Sequence, residues 1–197
     1  MIIGLTGGMG CGKSAAAAIF VQKGFRLLDS DAIIKQEILR DEAVIGFARD
    51  RWGDEVVDTT GQLDRGAVAK QVFSSDEERE IWENEIHPRL YAIWRQRLED
   101  APGTDWVVEV PLLFEQRLEN WFDFIFCVAS SPDVQLARLS ERGISQALAG
   151  QRISKQMPLS RKLELADMVL WNDGSLSFLQ QQIDQALTEM AAQAGSV

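Results

Sequence analysis

Cysteine is scarce in this sequence. There are two, Cys11 in a glycine-rich stretch and Cys127 in an apolar run, without metal-ligand spacing between them. No structural disulfide is expected, which suits a reducing cytoplasm, and Cys127 reads as a small core residue. Basic residues are outnumbered, 20 Lys and Arg against 30 Asp and Glu, for a formal net charge of -10. A surface that acidic repels a nucleic-acid backbone, so DNA and RNA are not expected as partners. It repels nucleotides too, so any phosphate site must be a local island of backbone N–H groups, Lys, Arg and metal. No apolar run reaches the length of a membrane span. Residues 1–3 lead straight into glycines, with no signal-peptide pattern. There is no internal repeat and no low-complexity linker. The expectation is a cytoplasmic protein without membrane association, and the sequence points to no protein partner.

What is present fits one well-packed domain carrying an insertion. A chain of 197 residues is short for two ordinary domains. Residues 2–6 predict a strand, followed by a glycine loop and an alanine-rich helix over 14–23 that Gly24 closes. Residues 25–28 predict a second strand, ending at Asp29-Ser30-Asp31. From about 32 to 100 long charged helical patterns take over, the clearest over 76–98, where Pro88 should kink or restart the helix. Strands return at 106–110 and 122–129, the latter apolar throughout, as expected when both faces are buried. A helix follows over 132–142 with Pro132 in its first turn. Residues 143–163 are polar and basic without an apolar stripe. A last strand at 168–171 and an amphipathic helix over 176–190 complete the pattern. Strand–helix alternation at both ends predicts an α/β fold with a parallel, doubly wound sheet. Ligands of such sheets sit at the carboxyl ends of the strands, where residues 7–14, 29–31, 109–111 and 129–131 all fall.

Gly7-Gly8-Met9-Gly10-Cys11-Gly12-Lys13-Ser14 fits G-x-x-x-x-G-K-[ST]. Such a match arises by chance in roughly one chain in a hundred of this length, but here it stands in the required strand–loop–helix context. The glycines let the backbone curl so that successive N–H groups point inward at phosphate oxygens, and the helix adds its positive end. Lys13 is expected to reach the β- and γ-phosphates and the Ser14 hydroxyl to ligate Mg²⁺. Cys11 reads as a loop residue lending its N–H, not as a nucleophile.

Two classes of phosphate-loop protein compete, a small-metabolite kinase and a non-catalytic nucleotide switch. A guanine switch carries N-K-x-D, and Asn172-Asp173-Gly174-Ser175 does not supply it. A kinase needs a base for the acceptor hydroxyl and a mobile basic lid, and both have candidates. Asp29 and Asp31 end the second strand, expected beside the first, and alternate residues share a face. Each carboxylate is either a base near the γ-phosphate or a cap of the next helix. The base is preferred for Asp31, and both readings stand equally for Asp29. Arg138 and Arg142 share a helix face, and Arg152, Lys155, Arg161 and Lys162 follow. A basic cluster in an acidic protein points to phosphate clamping, for which the planar fork of Arg is suited. A solvated helix face is the alternative for any one of them.

The sequence resembles the dephospho-CoA kinase family over nearly its whole length. Leu5-Thr6-Gly7-Gly8-Met9-Gly10-Cys11-Gly12-Lys13-Ser14 is similar to the family's T-G-G-x-G-S-G-K-S. Asp29-Ser30-Asp31-Ala32-Ile33 resembles its D-A-D-x-I segment, Ile86-His87-Pro88 carries its H-P pair, and Val110-Pro111-Leu112-Leu113-Phe114-Glu115 matches its most distinctive string. Arg138–Arg142, Arg152-Ile153-Ser154-Lys155-Gln156 and the stretch from Ala166 to Ser175 follow in family order. Cys11 and Ala15 stand where Ser and Thr are commoner, Ser30 where Ala is, and Lys35 where Arg is frequent. The resemblance implies a phosphate-loop NTPase fold with a helical CoA-binding insertion at about 32–100 and a lid at about 140–162. It implies ATP-dependent phosphorylation of the ribose 3′-hydroxyl of dephospho-CoA, with Mg²⁺. Lys13, Asp31 and Arg142 would be catalytic, Asp31 as base and Arg142 as a lid arginine. ATP contacts would come from Gly10, Cys11, Gly12, Lys13, Ser14, Ala15, Arg138 and Asn172, acceptor contacts from Asp31, His87, Pro111 and Leu112, and the metal contact from Ser14.

Three features stay open on the sequence alone. His87, the only histidine, is either structural or part of the acceptor pocket. Glu109 and Glu115 either stand behind the Mg²⁺ ion or cap neighbouring elements. Of the six tryptophans, none is singled out to stack on an adenine.

Overall fold

The first strand, β1 (Ile2–Gly7), is buried from Ile3 onward, which an inner strand of a parallel sheet requires. In the computed structural model, which describes residues 1–194, it leads through the glycine loop into α1 (Lys13–Gln22), whose Ala16, Ala17, Ile19 and Phe20 are buried. Gly24, at φ 97°, follows the Lys23 cap, the left-handed position that favours glycine. The chain continues as β2 (Arg26–Asp29), then α2 (Ser30–Gln36), α3 (Glu42–Trp52), α4 (Arg65–Val72) and α5 (Asp76–Glu99). After these come β3 (Trp106–Glu109), β4 (Phe124–Ala129), α6 (Pro132–Glu141), α7 (Gln146–Ser154), α8 (Leu159–Leu165), β5 (Met168–Trp171) and α9 (Leu176–Ala194). Two compact units result, one built from Met1–Leu28 with the chain from Gly103 onward, the other from Asp29–Pro102.

The sheet unit has five parallel strands in the order β2-β3-β1-β4-β5. Ile2 to Leu5 register with Trp106 to Glu109 on one side, and Ile3 to Gly7 with Phe124 to Val128 on the other. Its core joins Ile3, Leu5, Phe20, Phe126, Val128, Leu179 and Ile183, and Phe20 meets Phe25 and Phe126 edge-on at 5.4 and 5.3 Å. This order corrects the expectation that the second strand lies beside the first, because β3 stands between them. The side chains explain the choice. Every residue of β3 is buried, whereas Arg26 and Leu27 of β2 are exposed, and a charged, short strand belongs at an edge. The neighbour that β1 does have therefore delivers Glu109 to the loop's end of the sheet, opposite Leu5.

The second unit is helical, as expected, and its helices start where side-chain caps place them. Asp29 accepts from the Ala32 amide, Asp41 from Ala43 and Val44, Asp64 from Gly66 and Ala67, and Ser75 from Glu78. Such caps satisfy amides that the helix leaves without an acceptor. Ile38, Val44, Ala48, Val56, Ile86, Leu90 and Trp94 form its buried interior. Pro88 does not restart the helix, since α5 runs through it as one element. Pro88 and Asn84, whose carbonyl loses its donor, both lie on the exposed side, where water replaces the missing bond.

The polar stretch over 143–163 holds two helices that periodicity did not reveal. α7 starts at a Ser145 cap. The one buried residue of α8 is Lys162, a lysine at the place where an apolar residue marks a helix face.

Candidate functional site

The glycine loop is held open by hydrogen bonds to its carbonyl oxygens. The Cys11 carbonyl accepts from Asn172 Nδ2 at 2.9 Å, from Arg138 Nη1 at 3.3 Å and from Ser130 Oγ at 3.3 Å. The Gly10 carbonyl accepts from the same Arg138 nitrogen at 3.4 Å. Arg138 Nη2 and Ser130 Oγ also bind the Asn172 carbonyl, at 2.7 and 3.0 Å, and Gln135 Nε2 binds the Ser130 carbonyl at 2.8 Å. A carbonyl turned outward turns the neighbouring N–H groups inward, which is how a loop of this kind presents donors to an anion. Arg138 and Asn172 thus reach the site, and the atoms that the structure shows at work shape the loop.

Two glycines have no substitute here. Gly12 caps α1 at φ 91°, and a Cβ on it would stand 2.2 Å from Asn172 Nδ2. A Cβ on Gly7 would stand 2.2 Å from the Val128 carbonyl oxygen. The tight packing that fixes the loop consumes the space a side chain would need.

Lys13 opens α1 and curls back, its ammonium donating to the Gly7 and Gly8 carbonyls at 3.3 and 3.2 Å. Ser14 is exposed at the helix start, and its hydroxyl lies 3.4 Å from Oε1 of the buried Glu109. These are hard oxygen donors at the positive end of a helix, chemistry that suits phosphates and a Mg²⁺ ion. Among the described residues no group of three or more His, Cys, Asp or Glu is gathered for a metal. Cys11 is fully buried, and burial pushes its thiol pKa up, consistent with a loop residue and not a nucleophile. Cys127 is likewise buried, its pKa pushed up to about 12 mainly by burial, and both thiols are free.

The remaining expected residues are spread over several elements. Arg142 is the exposed cap that ends α6, with Gly143 at φ 77° directly after it. Arg152 and Lys155 are exposed in and after α7. Of the basic cluster, Arg161 pairs at the surface with Glu164, and Lys162 leaves the phosphate clamp, wholly buried against Glu115 and Pro111. The Pro111 carbonyl is engaged by Lys162 Nζ at 2.7 Å and Thr6 Oγ1 at 3.4 Å, while Leu112 is half-buried after β3. In the helical unit Asp29 is a helix cap, and Asp31 is exposed in the first turn of α2. His87 is half-buried in α5, stacked on Tyr91 at 5.9 Å. Sequence reasoning missed Gln135, and Ser130 entered only as part of a strand end. A Ser-Ser-Pro at the exit of a buried strand was the available signal.

A likeness to known proteins extends over both units. The family model of dephospho-CoA kinase matches residues 1–177. The dephospho-CoA kinase of Thermosynechococcus vestitus is 39% identical over 188 residues, covering 94% of this chain and 93% of the relative. Among solved structures, TT1252 from Thermus thermophilus is 31% identical at a TM-score of 0.77, over 96% of this chain and 97% of that one. A dephospho-CoA kinase from Campylobacter jejuni shares the fold at a TM-score of 0.64 and 24% identity, over 95% and 96% of the two chains.

Proposed function

Because the chain belongs to the dephospho-CoA kinase family, we propose that its glycine loop holds ATP with Mg²⁺ and its helical unit presents dephospho-CoA. The γ-phosphoryl then passes to the ribose 3′-hydroxyl, giving CoA and ADP. In this reading the ribose 3′-oxygen forms a bond to the γ-phosphorus as the bond to the bridging β-phosphate oxygen breaks. The hydroxyl proton goes to Asp31, whose exposed carboxylate suits a base that must meet a solvent-borne acceptor. Lys13 and the loop amides stabilise the charge that collects on the phosphate oxygens. Ser14, backed by Glu109, would hold the Mg²⁺ ion, which supplies neutralisation of the β- and γ-phosphate oxygens when bound. Arg142, at the end of α6 before Gly143, is assigned to the transferring phosphoryl group on closure of the 140–162 segment, with Arg152 and Lys155 beside it.

The helical unit offers a cleft of about 580 Å³ lined by Leu39, Arg40, Gln62, Leu63 and Arg65. The carboxylates next to these arginines in sequence are engaged elsewhere. Asp41 caps α3 and meets Arg89, and Asp64 caps α4. Arg40 and Arg65 are therefore assigned to a phosphate of the acceptor, for which an arginine fork is the suited partner. His87, Pro111 and Leu112 are kept as further acceptor contacts. The cytoplasm is the proposed location; no helix among the described residues is long and apolar enough to cross a membrane.

The observation that carries the acceptor assignment is the family match over residues 1–177, which spans the loop and the helical unit together. The test is an ADP-release assay with dephospho-CoA, AMP, shikimate, gluconate or no acceptor. Acceleration by dephospho-CoA, with the new phosphate on the 3′-oxygen, is expected. Equal ADP release with and without dephospho-CoA, while another acceptor accelerates it, would overturn the assignment.

A further inference from the structure

Lys162 has 0% of its side chain exposed, the only ion-paired cation among the described residues so deeply buried. Its ammonium sits 2.8 Å from Glu115 Oε1 and donates to the Pro111 carbonyl at 2.7 Å. The same Glu115 oxygen accepts from the Met157 amide at 2.9 Å, one residue before Pro158, which caps α8. The Pro111 carbonyl also takes the hydroxyl of Thr6, a fully buried residue of β1 just before the glycine loop. A continuous polar chain therefore runs from the base of the loop, through the segment that leaves β3, to both ends of the first turn of α8.

A buried ammonium loses its hydration and must recover it from partners, and removing one partner leaves an uncompensated charge. An apolar pair of similar volume often serves stability as well or better. Here the exchange is incomplete: Glu115 Oε2 is buried with no hydrogen-bond partner among the described residues. Stability alone is a poor account of such a pair. What the pair does supply is direction, since one carboxylate and one carbonyl fix the ammonium and thereby the register of α8 on residues 111–115.

We infer that Glu115 and Lys162 are positioning residues for phosphoryl transfer, which anchor the C-terminal root of the lid to the chain leaving β3. The inference rests on the kinase reading above. It removes Lys162 from the phosphate clamp, and it ends the moving part of the lid, which begins around Arg142, before the anchored Met157. A misplacement of about 1 Å in such a support can cost about a hundredfold in rate without touching the reacting atoms.

The test compares wild type with Glu115→Gln and with the apolar double variant Glu115→Leu/Lys162→Met. Three quantities are read: ATP consumed without acceptor relative to phosphoryl transferred, the KM for dephospho-CoA against kcat, and hydrogen exchange over residues 157–165. Expected for Glu115→Gln are a transfer rate lower by about tenfold or more, a higher share of acceptor-free hydrolysis, unchanged ATP affinity and faster exchange at 157–165. The double variant is expected to unfold at the wild-type temperature while keeping the loss of coupling. Wild-type coupling in a double variant of wild-type stability would reduce the pair to filling space and overturn the inference. If the double variant does not fold, Glu115→Gln decides alone, and wild-type coupling and exchange in it would be equally fatal. Wild-type protein inert toward dephospho-CoA would instead sink the kinase reading, and the exchange arm would still report on the anchor.

Discussion

The two units spend their polar groups differently. Around the glycine loop, Arg138, Asn172, Ser130 and Gln135 point at backbone carbonyls, and Asn172, Ser130 and Gln135 are buried. In the helical unit the charges pair with one another at the surface. Arg97 meets Glu37 with 39% and 43% of the side chains exposed, and Arg49 meets Asp54 at 50% and 91%. Buried bonds to the backbone set donors in place before any ligand arrives, which is what stabilising a developing charge requires. Exposed ion pairs are screened by salt and contribute little to stability. The loop side is therefore built to hold still. The helical side owes its shape to caps and an apolar interior, and its surface charges are free to exchange partners.

The comparison can be broken first at the loop. Lys13→Ala is expected to lower transfer by about a thousandfold, the upper range for a lost donor to transition-state charge, with little change in unfolding temperature. Near wild-type turnover in this variant would mean that the loop is not the site of transfer. Asp31→Asn, on the other side of the comparison, is expected to lower kcat by about a hundredfold or more while leaving ATP affinity intact. A wild-type rate there would reduce Asp31 to a residue of the first turn of α2. Gly12→Ala places a Cβ against Asn172 at a backbone angle that alanine resists. It is expected to cost about 1–3 kcal/mol of stability and to abolish ATP binding by calorimetry. An alanine variant that binds ATP normally would show that the loop is softer than its wiring implies.

What the sequence made legible follows the same division. The loop was readable because its function depends on local order: glycines, then Lys13 and Ser14, between a strand and a helix. The helical block was readable because its pattern is local too, long charged helical runs that are clearest over 76–98. The wiring around the loop was not, since Asn172 lies 161 residues from Cys11 and no periodicity connects them. Lys162 misled in a stricter sense. In sequence it is one more cation in a basic run, and only the fold turns it inward onto Glu115. The place of β2 went wrong for a related reason, because alternation predicts a parallel sheet without ordering its strands. The edge character of Arg26-Leu27 against the apolar Trp106-Val107-Val108 was the signal available.

A milder variant sharpens the claim that caps set the helical unit. Asp41 accepts from the Ala43 and Val44 amides and lies 3.7 Å from Arg89. Asp41→Ala is expected to lower stability by about 1 kcal/mol, as for other lost caps, with no change in ATP affinity. Destabilisation that disappears in high salt would assign the effect to the ion pair with Arg89 instead of the cap.

The smallest effect expected is a pH dependence confined to the helical unit. His87 is half-buried and stacked on Tyr91. Burial lowers its pKa below the ordinary histidine value, while the nearby Glu83 pulls more weakly upward. In the unfolded chain the imidazole titrates at about 6.5. Between that value and the lower folded one, the unfolded state binds more protons than the folded state. Stability therefore rises with pH through this window and is lost as pH falls from about 6.5. As the chain has one histidine, its imidazole signal can be followed by NMR without assignment, and a midpoint below about 6.5 is expected. The unfolding temperature of His87→Gln is expected to fall less than that of wild type between pH 7 and 5, the remaining slope coming from carboxylates. An imidazole that titrates at or above 6.5 would mean that α5 holds His87 open to water, and the stacked, half-buried histidine would have to be given up.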